Sequence, residues 1–223
     1  MFFRSNFEEP GPGTDQEPPE KTGPSRFFEI LQAECGRLIK ANLLFLLGCL
    51  PVVTIPLSLW AMNQAVRGMV LDQPAGSFAH FRSAFCQRPG RSYAAFFLVA
   101  APLALSGYGA LFYLRYAAAN LLAFLPFMLC STVFLATLLA SPYFYGILSS
   151  GAALPAAARL SLALGVARPL RAVLAVLFGY GLAAAAVLAF PLSLIYLLLI
   201  GFSLPCLLAN FFVRTVLRQY GGS

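Results

Sequence analysis

The side chains that do chemistry are few in this sequence, and they stand far apart. His80 is the only histidine, and one acid, Asp72, lies near it. A general base or a metal ligand needs partners within hydrogen-bond reach, so His80 predicts neither role. The eight carboxylates are Glu8, Glu9, Asp15, Glu17, Glu20, Glu29, Glu34 and Asp72, and none follows Asp72. Proton-driven carriers use acids or histidines within the membrane, and the apolar runs here hold none. Cys35, Cys49, Cys86, Cys130 and Cys206 form no CxxC pair and are odd in number. They read as small packing residues rather than a metal site or a disulfide framework. With no paired carboxylates and no Ser-His set, the expectation is a chain that is not an enzyme and holds no cofactor and no metal.

What remains is uncharged polar groups inside apolar sequence: Asn42, Asn63, Gln64, Asn120, Ser131, Thr132, Ser141, Ser203 and Asn210. Their expected role is hydrogen bonding between helices. They are also the groups with which a facilitator lacking acids would line a path. Gly107-Tyr108-Gly109 and Gly179-Tyr180-Gly181 offer small surfaces for close helix approach. No strand precedes either pair, so a nucleotide role is not indicated.

The elements that carry these groups are apolar helices. Of the residues, 60% are hydrophobic and 10% charged, and the mean hydropathy is +0.79. Soluble domains carry about a quarter charged residues, and a soluble fold of this composition would leave large apolar patches in water. Lipid is the fitting solvent, and an all-α polytopic transmembrane helix bundle is the expected class. The net charge of +7 suits anionic lipid and cytoplasmic loops rather than nucleic acid.

Residues 1–25, rich in Pro, Gly and acids, read as a cytoplasmic tail too polar to fold alone. The first apolar run starts near Ala41, too far along the chain for a cleavable signal. Ser25 is a candidate N-cap for an interfacial helix. Phe27, Phe28, Leu31 and Leu38 form its apolar stripe, opposite Arg26, Glu29, Glu34, Arg37 and Lys40. Residues 26–218 then form one transmembrane helical domain, with spans near 37–53, 55–71, 92–114, 121–148, 172–190 and 192–213.

The first pair needs an argument. Ala41 to Val66 are uncharged and broken by Pro51 and Pro56. One pass takes about twenty residues and two take nearer forty, so a hairpin requires Arg37, Lys40 and Arg67 to snorkel at its ends. Charge sidedness favours the hairpin. With six spans and both termini inside, fourteen of fifteen cations are cytoplasmic and only Arg115 is outside. With a single kinked pass, six lie inside and nine outside. The positive-inside rule selects the former.

Two of the cytoplasmic loops echo each other. Phe78-Ala79-His80-Phe81-Arg82-Ser83-Ala84-Phe85 leads to Arg88-Pro89-Gly90-Arg91, and Ala157 to Leu164 leads to Arg168-Pro169-Leu170-Arg171. Phe78, Phe81 and Phe85 fall at helical spacing, which predicts an amphipathic helix on the membrane surface. Proline suits the first turn of the helix that follows. On a chain without a catalytic set, Phe78, Phe81, Arg82, Phe85, Arg88, Arg91, Arg159, Arg168 and Arg171 are the candidate protein-contact residues.

Three stretches resemble the YesL family of bacterial integral membrane proteins. They are Pro10-Gly11-Pro12-Gly13-Thr14-Asp15, then Asn42-Leu43-Leu44-Phe45-Leu46-Leu47 followed by Cys49-Leu50-Pro51-Val52-Val53-Thr54-Ile55, and the Phe-rich loop from Phe78 to Phe85. Pro56-Leu57 departs from the Gly-Pro often found there in that family. The family's domain has no established activity, and the resemblance implies a link to carbohydrate ABC transporters. The resulting expectation is an accessory or regulatory subunit in the bacterial cell membrane, in contact with lipid and ABC transporter subunits. The alternative is a small-solute permease or channel.

Overall fold

The computed structural model describes residues 24–71, 77–86, 89–117 and 121–221. The tail up to residue 23, Asp72, Arg88 and Asn120 lie outside the described residues. Every element among those described is helical.

Helix α1 runs unbroken from Pro24 to Cys49. Proline at the first helical position forfeits no hydrogen bond, so the helix begins one residue before the expected cap at Ser25. Ion pairs Arg26–Glu29 (3.1 Å) and Arg37–Glu34 (3.0 Å) lie along its N-terminal half. The expected interfacial segment and first span are therefore one continuous helix. Its buried face is Ile30, Leu38, Ala41, Asn42 and Phe45, at the spacing of a single helical stripe.

Pro51 ends α1, a single 3-10 turn covers Val52–Thr54, and α2 follows over Ile55–Val70 with Pro56 in its first turn. The expected turn at Pro-Val-Val-Thr-Ile-Pro is thus present. Gly48 lets the two helices close, because a side chain there would overlap Ser58. Helix α2 packs against α1 and is buried over most of its length. That includes Arg67, read from the sequence as a snorkelling end charge but only 8% exposed. It sits in the last turn of α2, where the helix dipole favours a cation.

Helix α3 (Ser77–Cys86) packs on α2 and α1. Two long helices, α4 (Pro89–Ala117) and α5 (Leu121–Ser149), then pair along their length. A close fit needs small residues at the contact. Gly107 meets the ring of Phe134, and Gly109 meets Cys130, as the glycine spacing predicts. The α5 segment from Ala140 to Leu148 is buried throughout. Its N-terminal half exposes Leu122, Leu125 and Leu129, a surface suited to lipid rather than water.

Helix α6 (Leu154–Ala167) packs on α5 through Ala157, Ser161 and Gly165. A Cβ at Gly165 would lie 3.4 Å from the α5 backbone at Leu139 and Ala140. Helix α7 (Pro169–Leu188) contains a π-helical stretch at Ala175–Gly181. After a turn come a short helix, α8 (Leu194–Leu199), and the final helix, α9 (Ser203–Gly221). The last expected span, 192–213, is accordingly two helices with a break at Ile200 to Phe202. Gly201 permits the break, since any side chain there would overlap the backbone of Leu197.

The two echoing loops do equivalent jobs. Helix α3 packs on α2 and is followed by Pro89, while α6 packs on α5 and is followed by Pro169. Among the described residues, three stretches are long and apolar enough to cross a bilayer: Pro89–Tyr116, Leu122–Ser149 and Pro169–Leu188.

Candidate functional site

Two features meet at the centre of the bundle. One is the break between α8 and α9. A broken helix leaves carbonyls at one end and N–H groups at the other without helical partners. Here a single side chain takes four of them. Asn42, fully buried on α1, donates from Nδ2 to the carbonyls of Leu197 and Leu198, both at 2.8 Å. Its Oδ1 accepts from the N–H groups of Phe202 (3.0 Å) and Ser203 (3.1 Å). An asparagine amide holds a carbonyl and an NH₂ group in one plane, so it caps both ends of the break at once. The ring of Phe45, one turn further along α1, packs on Phe202 at 5.2 Å.

Beside the break lies a cavity of about 350 Å³ among α1, α2, α4, α5, α7 and α9. Its wall is mainly apolar, with Phe45, Met62, Phe96, Leu103 and Phe202 contributing. A polar edge comes from four helices, with Asn63 on α2, Ser141 and Tyr145 on α5, and Tyr180 on α7. Cys206 and Asn210 on α9 complete it. Asn210 Nδ2 donates to the Cys206 carbonyl (2.9 Å) and, at 3.4 Å, to Asn63 Oδ1. The thiol of Cys206 approaches the same Oδ1 at 3.5 Å. Across the cavity, the hydroxyls of Ser141 and Tyr180 share a hydrogen bond at 3.1 Å. Gly179 lets α7 close on α9 beside it: a Cβ there would be 3.2 Å from the Pro205 carbonyl oxygen. Among the described residues, no Asp, Glu, Lys, Arg or His lines the cavity.

Several of the polar groups read from the sequence are thus brought together. Asn63 bonds Asn210 between helices as expected, and Asn42 reaches another helix too, but through backbone groups, the Ser203 N–H among them. Ser141 joins them through Tyr180, which the sequence reading passed over. Thr132 bonds its own helix, at the Met128 carbonyl (2.8 Å). The Ser203 hydroxyl is buried and has no hydrogen-bond partner among the described residues. Tyr145, Tyr180 and Cys206 carry no local sequence signal of a site, because they become neighbours only when α5, α7 and α9 pack.

The candidate protein-contact residues are scattered in their fates. Phe81 is buried, and Phe85 is half-buried against the core, stacked on Phe81. The aromatic face of α3 at Phe81 and Phe85 therefore turns into the bundle. Arg91 is engaged within the chain, donating from Nη2 to the carbonyls of Leu148 (3.1 Å) and Ala152 (2.5 Å) at the end of α5. This closes the C-terminal end of that helix. Arg168 is half-buried, and its carbonyl accepts from the Tyr143 hydroxyl at 3.3 Å. Arg82, Arg159 and Arg171 are exposed. Arg88 and the side chain of Phe78 lie outside the described residues, as does the side chain of His80.

Fold and site together define a helical-bundle protein of membrane type, with a half-open cavity beside a discontinuous helix. No known protein family, no curated protein and no solved structure matches the chain.

Proposed function

We propose that this chain is a multi-pass cell-membrane protein that admits a small neutral solute to its cavity, as a permease. The observation that carries this is the cavity of about 350 Å³ with one polar edge, set beside a broken helix. Small-molecule sites in proteins begin near 300 Å³ and are mostly apolar with a few placed polar groups. Broken helices recur at the substrate sites of membrane carriers. A charged solute would find no opposite charge among the described lining residues, which favours a neutral one. The test is uptake of glycerol and small sugars into liposomes carrying the purified protein. Uptake should be lost in Ala183→Phe, which fills the cavity from α7, while the variant's melting temperature stays near that of the parent. Equal uptake in parent and variant, or none with any solute in the parent, refutes the reading.

The cation distribution supports both termini in the cytoplasm, with both ends of the α1–α2 hairpin on that side. Six spans follow if the hairpin reaches the outer face, and four follow if its turn stays inside the bilayer.

A second reading is an accessory or regulatory subunit of a carbohydrate ABC transporter, as the YesL resemblance implies. Its support is exposed Arg82, Arg159 and Arg171, on a chain with no acid beyond Asp72 to pair with them. Recovery of the protein from native membranes in mild detergent without a transporter subunit would tell against it.

A further inference from the structure

We infer that the α1–α2 hairpin enters and leaves the bilayer by its cytoplasmic face, and that its turn lies among lipid acyl chains. The inference rests on the membrane reading but not on the cavity. Four observations carry it.

The turn is apolar and outward-facing: Leu50 and Val52 are each 77% exposed, and Val53 is 72% exposed. Turns in water favour Gly, Asn, Asp and Ser, whereas Leu-Pro-Val-Val offers water nothing. Lipid accepts such a surface. The neighbouring exposed side chains on α1, Leu43 and Leu47, extend it.

The turn's carbonyls are also satisfied from within the protein. The Thr54 hydroxyl donates in a bifurcated bond to the carbonyls of Gly48 (2.6 Å) and Pro51 (2.7 Å). The hydroxyl of Tyr93, forty residues away, donates to the Val53 carbonyl at 2.7 Å. Water would supply these bonds unaided, while in hydrocarbon the protein must provide them.

The Tyr93 bond also places the turn. Tyr93 lies in the opening turns of α4, two residues after Arg91 and the cytoplasmic R-P-x-R element. If the hairpin crossed fully, its turn would stand on the far face, about 30 Å from the start of α4. A 2.7 Å hydrogen bond requires that they share one side.

Length and charge agree. Helix α2 has 16 residues, about 24 Å at helical rise, short of a hydrocarbon core of about 30 Å. A hairpin that returns to the cytoplasmic face leaves fourteen of the fifteen cations inside, the same sidedness that six full spans produce.

The chain has one tryptophan, Trp60, which makes a depth measurement simple. In the double variant Trp60→Phe, Val53→Trp, reconstituted in phosphatidylcholine brominated near the carboxyl end of its acyl chains, the bromines should quench most of the emission. Aqueous iodide should quench little. Quenching by iodide, or no quenching by the brominated lipid because a protein surface covers the turn, overturns the inference. A second measurement does not depend on replacing Trp60. Val53→Cys in intact cells should gain no label over the parent from a membrane-impermeant maleimide added outside, and label gained there also overturns it. Solute uptake lost in Ala183→Phe is unaffected by either outcome, so the two readings fail separately.

Discussion

Replacing Asn42 with alanine removes the one side chain that holds the α8–α9 break. Four backbone groups lose their partners: the carbonyls of Leu197 and Leu198 and the N–H groups of Phe202 and Ser203. The site is fully buried, so water does not replace the amide. Hydrogen bonds between membrane helices average about 0.6 kcal/mol in double-mutant cycles, and a buried group left unsatisfied costs about 1–3 kcal/mol. Four groups place the loss between about 2 and about 12 kcal/mol, a large part of a total stability of about 5–15 kcal/mol. Asn42→Asp separates the halves of the clasp. It keeps an acceptor for the two N–H groups but loses the donor and sets a carboxylate against two carbonyls, so it should be at least as damaging as alanine. Asn42→Gln keeps the chemistry but lengthens the reach, and should fall between parent and alanine. The assay is reversible unfolding of the purified protein in mixed micelles, followed by the emission of Trp60, which is buried on α2. An alanine variant within about 1 kcal/mol of the parent, the net worth of one ordinary hydrogen bond, would refute the reasoning and show that the break supports itself.

Gly201→Ala should destabilise the bundle more than a glycine-to-alanine change in an ordinary helix, because the added methyl overlaps the Leu197 backbone and not a movable side chain; a lowered melting temperature checks this. Arg91→Met should cost about 1.5–3 kcal/mol, the usual worth of hydrogen bonds to a charged group, by releasing the carbonyls of Leu148 and Ala152. Its signature is faster amide hydrogen exchange at the end of α5, with little change in α9.

Helices and turns were legible where the pattern is local. Pro51 and Pro56 mark the α1–α2 turn, Arg91 and Arg115 bound the third apolar run, and Pro89 and Pro169 open helices, each from its own backbone chemistry. The interruption at Ile200 to Phe202 was not legible, since Leu194 to Val213 reads as one uncharged run. Gly201 and Pro205, the latter in the first turn of α9, are its traces, and both residue types are common in membrane helices. The direction of the α3 aromatic face was hidden as well. Phe81 and Phe85 define an apolar stripe whether that stripe meets lipid, a partner or the bundle.

The amino-acid sequence by itself determined the solvent and the class of structure. Composition and the placing of charge are sums over residues, and they require no knowledge of which residues touch. It also determined that no acid or histidine can act inside the apolar runs. Only the tertiary structure decided that Asn42 would clasp a break more than 150 residues away and that Asn63, Ser141, Tyr180 and Asn210 would border one cavity. The physical reason is that an uncharged polar group in an apolar helix must find a partner, while its own sequence does not say on which helix that partner stands.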